Sequence, residues 1–471
     1  MGDPDRPARE RLDPDRLAAA LADAEGRRLW IAYSGGLDSH VLLHAAVGLR
    51  GRLNLDLHAV HVHHGLLREA DAWAAHCAQV CADLGVPLAV RRLGLVPAVG
   101  ESLEAVAREA RYAAFRALLR PGDRLATAQH RDDQAETLLL ALLRGAGVHG
   151  LAAMPAQAAL GAGVLLRPLL ALPRAALADY ARLWGLHWVE DPSNAEVARD
   201  RNRLRHLVIP PLRARWPALD RTLARSAAHC AEAAELLDGL ADELLVGLAA
   251  DAPTALSVGR LRALDAPRQR LVLRRWLVKQ GFRAPENDRL RRIITEVLPA
   301  AADRQPLVDW PGCEVRRHRD ALYALAPLPP VPPTRPRTVR GRSVQLPAPL
   351  GTLAWRLADS ADGSTPARVQ FRTNGLRCAR RGRPDADLKT LFQTAGVPAW
   401  LRDYVPLVLI DDRLAGIAGV AVCGEVLHDL CWRGHPWVGR GWLKERVTPP
   451  GHRTAAPVRP DPPRPHAGRH R

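Results

Sequence analysis

The residues with the clearest chemical purpose are Ser34-Gly35-Gly36-Leu37-Asp38-Ser39, directly after the apolar run Leu29-Trp30-Ile31-Ala32-Tyr33. Two glycines let a backbone close on anionic oxygens with its N–H groups turned inward. Ser34 and Ser39 add hydroxyl donors. A helix starting near Asp38 adds its positive end, typically about 0.3–1 kcal/mol per contact. Such a loop suits the phosphates of ATP, although the Gly-Lys-Ser/Thr ending of a Walker loop is absent. A carboxylate at position 38 repels phosphate unless a cation intervenes. Asp38 therefore reads as a helper for Mg²⁺ carried on the pyrophosphate portion of ATP.

A second group is His130-Arg131-Asp132-Asp133-Gln134-Ala135-Glu136. Asp132 and Glu136 are four apart, so a helix beginning here puts them on one face, with Asp133 beside them. Clustered carboxylates can hold an ammonium and take its proton. They also suit an acidic first turn that complements the helix dipole. His130 is placed either to contact ATP or to cap this helix.

The elements that must position these groups are legible as an alternation. Strands are expected at Leu29–Tyr33, Leu57–Val62, Pro87–Leu93, Arg124–Gln129 and Val164–Leu169. Helices are expected at Asp38–Leu49, Asp71–Leu84, Glu101–Leu119 (capped by Ser102) and Asp133–Leu143. This predicts an α/β domain with a parallel sheet and helices on both faces, its ligand beyond the carboxyl ends of the strands. Residues from about Leu204 to Val297 read as mostly helical, and Pro327–Pro336 as a semi-rigid linker. A small α+β region follows. The expected division is 1–215, 216–326, a linker 327–338, 339–442 and a disordered basic tail 443–471.

The loop resembles that of the PP-loop ATP-pyrophosphatase family. Its members transfer AMP to an acceptor oxygen, release pyrophosphate, and let a nucleophile displace AMP. Further segments narrow the resemblance: His61-Val62-His63-His64-Gly65-Leu66, Ala107–Phe115, His130–Thr137 followed by Arg144–Leu151, and Glu190-Asp191-Pro192-Ser193-Asn194 with Arg201–Arg205. In order and spacing they resemble the tRNA(Ile)-lysidine synthetase family, from about Leu29 to Pro210. The resemblance implies that ATP is a substrate with Mg²⁺. It implies free L-lysine and isoleucine tRNA with a CAU anticodon as partners, and leaves a homodimer open.

The resemblance gives the residues roles. Asp132, Asp133 and Glu136 are expected to bind lysine and activate its amine, with Glu190 a weaker candidate. Asp38 shares the catalytic role, and His130 joins residues 34–39 at ATP. Arg108, Arg111 and Arg144 are expected to neutralise phosphate during adenylation. Arg201, Arg203 and Arg205 are expected either to face RNA phosphate or to hold Glu190 and Asp191. His61, His63 and His64 are expected to shape the backbone near the adenosine.

Arg377–Arg383, Leu388–Gln393, Gly396–Pro398 and Trp400–Arg402 resemble the same family's C-terminal tRNA-binding domain. Arg380, Arg381, Lys389 and Arg402 are the expected phosphate contacts. The segment Arg383–Leu388 is shorter than the family pattern and is followed by a single lysine.

Bulk properties agree with a polyanionic partner. The net charge is +17; the tail from Arg446 to Arg471 carries +5 of it, leaving +12. The N-terminus lacks a signal-peptide pattern and no apolar run reaches the roughly 18 residues of a membrane span, so a cytoplasmic protein is expected. The seven cysteines, Cys77, Cys81, Cys230, Cys313, Cys378, Cys423 and Cys431, contain no CxxC pair. All seven are expected as reduced thiols, with no protein cage for a metal. The missing pairs also argue against a cytidine thiolase. A basic C-terminal domain is more than an amide-forming NAD or GMP synthetase needs.

Overall fold

The structure, a computed structural model, describes residues 10–65, 69–94, 103–192, 196–250, 254–301, 304–358, 366–372, 375–380, 383–437 and 442–448. Ser102, Ser193, Asn194, Arg381 and the tail beyond 448 lie outside the described residues. The chain forms two compact units, Met1–Leu237 and Asp238–Arg471.

In the first unit, β1 (Arg28–Ala32), β2 (Asp56–His63), β3 (Leu88–Arg92), β4 (Arg124–Ala126), β5 (Gln157–Leu160) and β6 (Gly163–Leu166) form one sheet, ordered β3-β2-β1-β4-β6-β5. All neighbours are parallel except the β5–β6 edge pair, which was not expected from sequence. Helices α1 (Pro14–Ala20), α2 (Leu37–Leu49), α3 (Ala70–Asp83), α4 (Leu103–Leu118), α5 (Arg131–Leu143), α6 (Val148–Leu151) and α7 (Arg174–Leu183) connect them. Burial on both faces explains the continuous apolar strands. Leu29 and Ile31 face a core with Val41, Leu42 and Leu177, while Trp30 faces another with Phe115, Leu125 and Leu165.

From β1 the chain winds outward to β2 and β3, then returns to place β4 on the other side of β1. The reversal opens a crevice beyond the carboxyl ends of β1 and β4. The glycine loop leaves β1 there, and His130 follows β4 there.

A helical stretch closes the unit: α8 (Asp200–Arg203), a π turn (Leu204–Val208), α9 (Ile209–Arg215) and the start of α10 (Leu219–Leu248). The π turn has a local cause. Pro210 and Pro211 remove two consecutive N–H donors, and the Ile209 N–H bonds back to Leu204.

The second unit is richer in sheet than the helical reading of its first part allowed. Beside α11 (Val258–Arg262), α12 (Ala266–Lys279) and α13 (Asn287–Arg292), β7 (Leu256–Ser257), β8 (Leu307–Trp310), β9 (Cys313–His318) and β10 (Ala321–Leu325) form an antiparallel sheet. These strands carry Asp309, Glu314, Arg316 and Arg317 between their apolar residues, which hid their alternation. Then follow β11 (Arg337–Val339), β12 (Ser343–Gln345), β13 (Thr352–Leu357), β14 (Ala367–Gln370), β15 (Arg377–Arg380), β16 (Arg383–Asp387), α14 (Leu388–Thr394), β17 (Leu407–Ile410), β18 (Arg413–Ile417), β19 (Ala421–Val422), β20 (Leu427–Arg433) and β21 (Arg446–Val447). The proline-rich segment is tied down: Tyr404 donates to the Pro329 carbonyl at 2.6 Å, and the Leu328 N–H to Glu314 at 3.3 Å.

One expectation about cysteine is overturned. Cys378 and Cys423 form a disulfide, with Cα atoms 5.1 Å apart, so not all seven thiols are reduced. The two lie 45 residues apart in sequence and meet because the segment after β19 hydrogen-bonds to β15, Gly424 N–H to Ala379 at 2.8 Å. No local spacing could signal that. The other five, Cys77 and Cys81 among them, are free.

Candidate active site

The glycine loop is held by its own serines. The Ser39 hydroxyl donates to the Gly36 carbonyl at 3.0 Å and accepts from the Ser34 N–H at 3.2 Å. The two hydroxyls are 3.0 Å apart. Gly35 has φ +86°, and a Cβ there would sit 3.0 Å from the Cys77 sulfur. Gly36 is the N-cap of α2 and Leu37 its first residue, and no side chain caps the helix. The first-turn N–H groups are therefore left for a ligand. Behind the loop, the buried His61 donates from Nδ1 to the Tyr33 carbonyl at 3.0 Å and fixes the end of β1.

Asp38 meets the second group across the crevice. Its Oδ2 is 3.7 Å from His130 Nε2, and its Oδ1 is 3.7 Å from Arg174 Nε. Both distances are electrostatic contacts rather than hydrogen bonds. Asp38 Oδ1 is buried and has no hydrogen-bond partner.

His130 caps α5 in a reciprocal box: its N–H donates to Asp133 at 3.0 Å, and the Asp133 N–H to His130 Nδ1 at 3.4 Å. It is 1% exposed. Burial opposes its protonation, but attraction from Asp38, Asp133 and Asp132 outweighs that and raises its pKa above the ordinary 6.5.

The three helix carboxylates are all neutralised by arginines. Asp132 accepts from the Arg174 N–H at 2.8 Å and from Arg213 at 2.7 Å. Burial pushes its carboxyl up, while the Arg174 N–H, His130 and Arg213 pull it down further, so its pKa falls below the usual value. Glu136, with 2% of its side chain exposed, accepts from Arg201 Nε at 2.7 Å and Arg205 Nε at 2.6 Å. Both arginines also approach Asp133 at 3.3 Å.

The remaining expected residues are spread around this centre. The exposed Glu190 follows Val189, whose N–H donates to the Gly35 carbonyl at 3.0 Å. Arg108 stacks over the Tyr112 ring at 5.0 Å. Arg111 lies near the half-buried His64 and joins burial in lowering its pKa. Arg144 is exposed and 3.9 Å from Asp200. Arg203 is exposed. In the second unit Lys389 is exposed on α14. Arg380 donates to the Pro384 carbonyl of its own hairpin at 2.8 Å, and Arg402 to Val397 at 3.2 Å. Arg174 and Arg213 had no signal in the sequence, because nothing in local spacing links them to Asp38 or Asp132.

Removing the Glu136 carboxylate leaves two guanidiniums facing each other. Glu136→Ala is expected to cost about 3 kcal/mol in chemical denaturation of the full chain. The double variant Glu136→Ala/Arg205→Ala should cost less than the sum of the singles by about 1 kcal/mol or more. Strict additivity would mean that the pair does not act as a unit. His130 gives a pH test. Its raised folded pKa supplies stability that is complete below the unfolded value and is lost as pH rises through the folded one. The stability advantage of the wild type over His130→Gln should therefore shrink as pH rises above the ordinary value of 6.5. An advantage that grows with pH contradicts this assignment.

Three family models match the chain: a PP-loop domain over residues 11–212, a TilS substrate binding domain over 256–323 and a TilS substrate C-terminal domain over 367–433. The tRNA(Ile)-lysidine synthase of Methylococcus capsulatus is 45% identical over 418 residues, covering 87% of this chain and 94% of that protein. That of Coxiella burnetii is 43% identical over 430 residues, covering 89% and 93%. Among the described residues no helix is long and apolar enough to cross a membrane. With Asp38 brought to the carboxylate helix at the sheet crevice, and with relatives matching almost end to end, the chain belongs to the tRNA(Ile)-lysidine synthase family.

Proposed function

We propose that the protein joins free L-lysine to C2 of the wobble cytidine in isoleucine tRNA with a CAU anticodon, consuming ATP. The observation that carries this reading is the approach of Asp38 to His130 at 3.7 Å, which joins the phosphate loop to the carboxylate helix in one crevice. In the first step the cytosine O2 attacks the α-phosphate of ATP, and pyrophosphate leaves. In the second, the lysine ε-amine attacks C2, and AMP leaves with the former carbonyl oxygen. The amine must be neutral to attack, although its ordinary pKa is about 10.4, so a carboxylate must accept its proton.

Residues 34–39 bind the ATP phosphates, with His130 beside them. Asp38 would hold a Mg²⁺ ion, which its buried, unpartnered Oδ1 fits, and the ion would neutralise the departing pyrophosphate. Arg108, Arg111 and Arg144 neutralise phosphate charge. Asp132, Asp133 and Glu136, with Glu190 at the rim, receive the lysine ammonium.

Arg201 and Arg205 already occupy Asp133 and Glu136. RNA phosphate draws the arginines off, and lysine takes their place, so binding of tRNA and of lysine are coupled. Arg380, Arg381, Lys389 and Arg402 contact tRNA phosphate. Residues 1–215 are the catalytic part, and 216–326 and 339–442 the tRNA-binding parts.

The test is incubation of the purified protein with ATP, radiolabelled lysine and CAU-anticodon isoleucine tRNA. Label is expected in the tRNA. None, with a protein that binds ATP, would sink the proposal. Asp38→Ala should reduce tRNA-dependent ATP–pyrophosphate exchange by about a hundredfold or more while tRNA affinity changes less than about twofold. An equal fall in both would make Asp38 structural.

A further inference from the structure

We propose that Arg167, Tyr112 and Arg108 form a phosphate-binding site on the α4 side of the sheet, at the carboxyl end of β6. Arg167 is the first residue after β6 and is 8% exposed. Its NH1 donates to the Pro155 carbonyl at 2.6 Å, and Tyr112 and Arg108 are near enough to act on its charge. Its Nε is buried and donates to nothing. The exposed Arg108 stacks on the Tyr112 ring at 5.0 Å.

Among the described residues neither arginine has a carboxylate partner. That sets them apart from the arginines of the crevice, where Arg174, Arg201, Arg205 and Arg213 each meet an acid. A guanidinium stays charged in a protein, and a buried charge without a counter-ion is costly. Burial lowers the pKa of Arg167, Tyr112 opposes this, and the charge of Arg108 adds to the strain. Two cations gathered about one tyrosine, with a buried guanidinium N–H to spare, call for an anion. The planar fork and phenol suit a phosphoryl group.

Two sources carry that group: ATP or pyrophosphate, and a phosphodiester of the RNA strand. The site extends the phosphate role given to Arg108 above and rests on it. Binding rather than lysine transfer is therefore measured, so failure of the site and failure of the reaction give different results.

The experiment uses full-length Arg167→Met, Arg167→Lys, Tyr112→Phe and Arg108→Gln. It measures affinities for α,β-methylene-ATP and for an isoleucine tRNA transcript over a salt series, with thermal melting as a folding control. Arg167→Met and Arg108→Gln are expected to weaken the same ligand by about tenfold each. If that ligand is tRNA, the slope of log K against log salt falls by about 0.9, and the source is an RNA phosphodiester. If it is the ATP analogue, the source is the nucleotide. Variants that melt like the wild type and bind both ligands normally overturn the proposal and leave Arg167 a clamp on the Pro155 carbonyl. Should Arg167→Met fail to fold, Arg167→Lys and Arg108→Gln decide by the same affinities.

Discussion

Glu136 is an acid with almost no access to water, and the geometry of the crevice follows from how its charge is met. An isolated carboxylate at that depth would be neutral or would unfold the helix that carries it. It is met by Arg201 and Arg205, from a segment 65 and 69 residues further on. That segment can present both guanidiniums only because the chain from Asp200 to Val208 is helical and the π turn absorbs the prolines at 210 and 211. The same arginines reach Asp133, which caps the helix with His130, and His130 in turn faces Asp38. One buried charge thus ties the last helices of the unit to the phosphate loop at its start.

The arrangement has a consequence for chemistry. Four acids, Asp38, Asp132, Asp133 and Glu136, stand against four arginines, at 174, 201, 205 and 213. A free ammonium entering this balanced set must displace a cation or arrive with an anion that removes one. A lysine-RNA ligase brings in both substrates, and the phosphates of one can release the carboxylates needed by the other. In the proposed reaction the buried pair would serve less as a source of stability than as a guard on the acid that receives lysine, consistent with the modest net value of buried ion pairs.

Much of the first unit was readable because local rules govern it. Apolar strands, glycine punctuation and the i, i+4 acids at 132 and 136 each act over a few residues. The sequence also placed His130 at the boundary of strand and helix, leaving capping and ligand contact open, and the structure shows the cap. What escaped was long-range. The approach of Arg174 to Asp38, the Arg213–Asp132 pair and the Cys378–Cys423 bond join residues whose meeting depends on the whole topology. The sheet β7–β10 escaped for a different reason: its strands are short and charged, and the helices before them set the expectation.

Charge was the least discriminating signal, and the structure explains why. Lysine occurs three times, at 279, 389 and 444, so arginine does nearly all the cationic work. Its fork serves equally well as a counter-ion for a buried acid and as a ligand for phosphate. Composition cannot separate those uses; the presence of a carboxylate within reach can. Arg205 and Arg213 have one, and their positive charge is largely spent inside the protein. Lys389 is exposed on α14, and Arg108 lies over an aromatic ring. The capacity to attract nucleic acid therefore resides in the cations the protein leaves without an acid, a subset that a net charge of +17 does not identify.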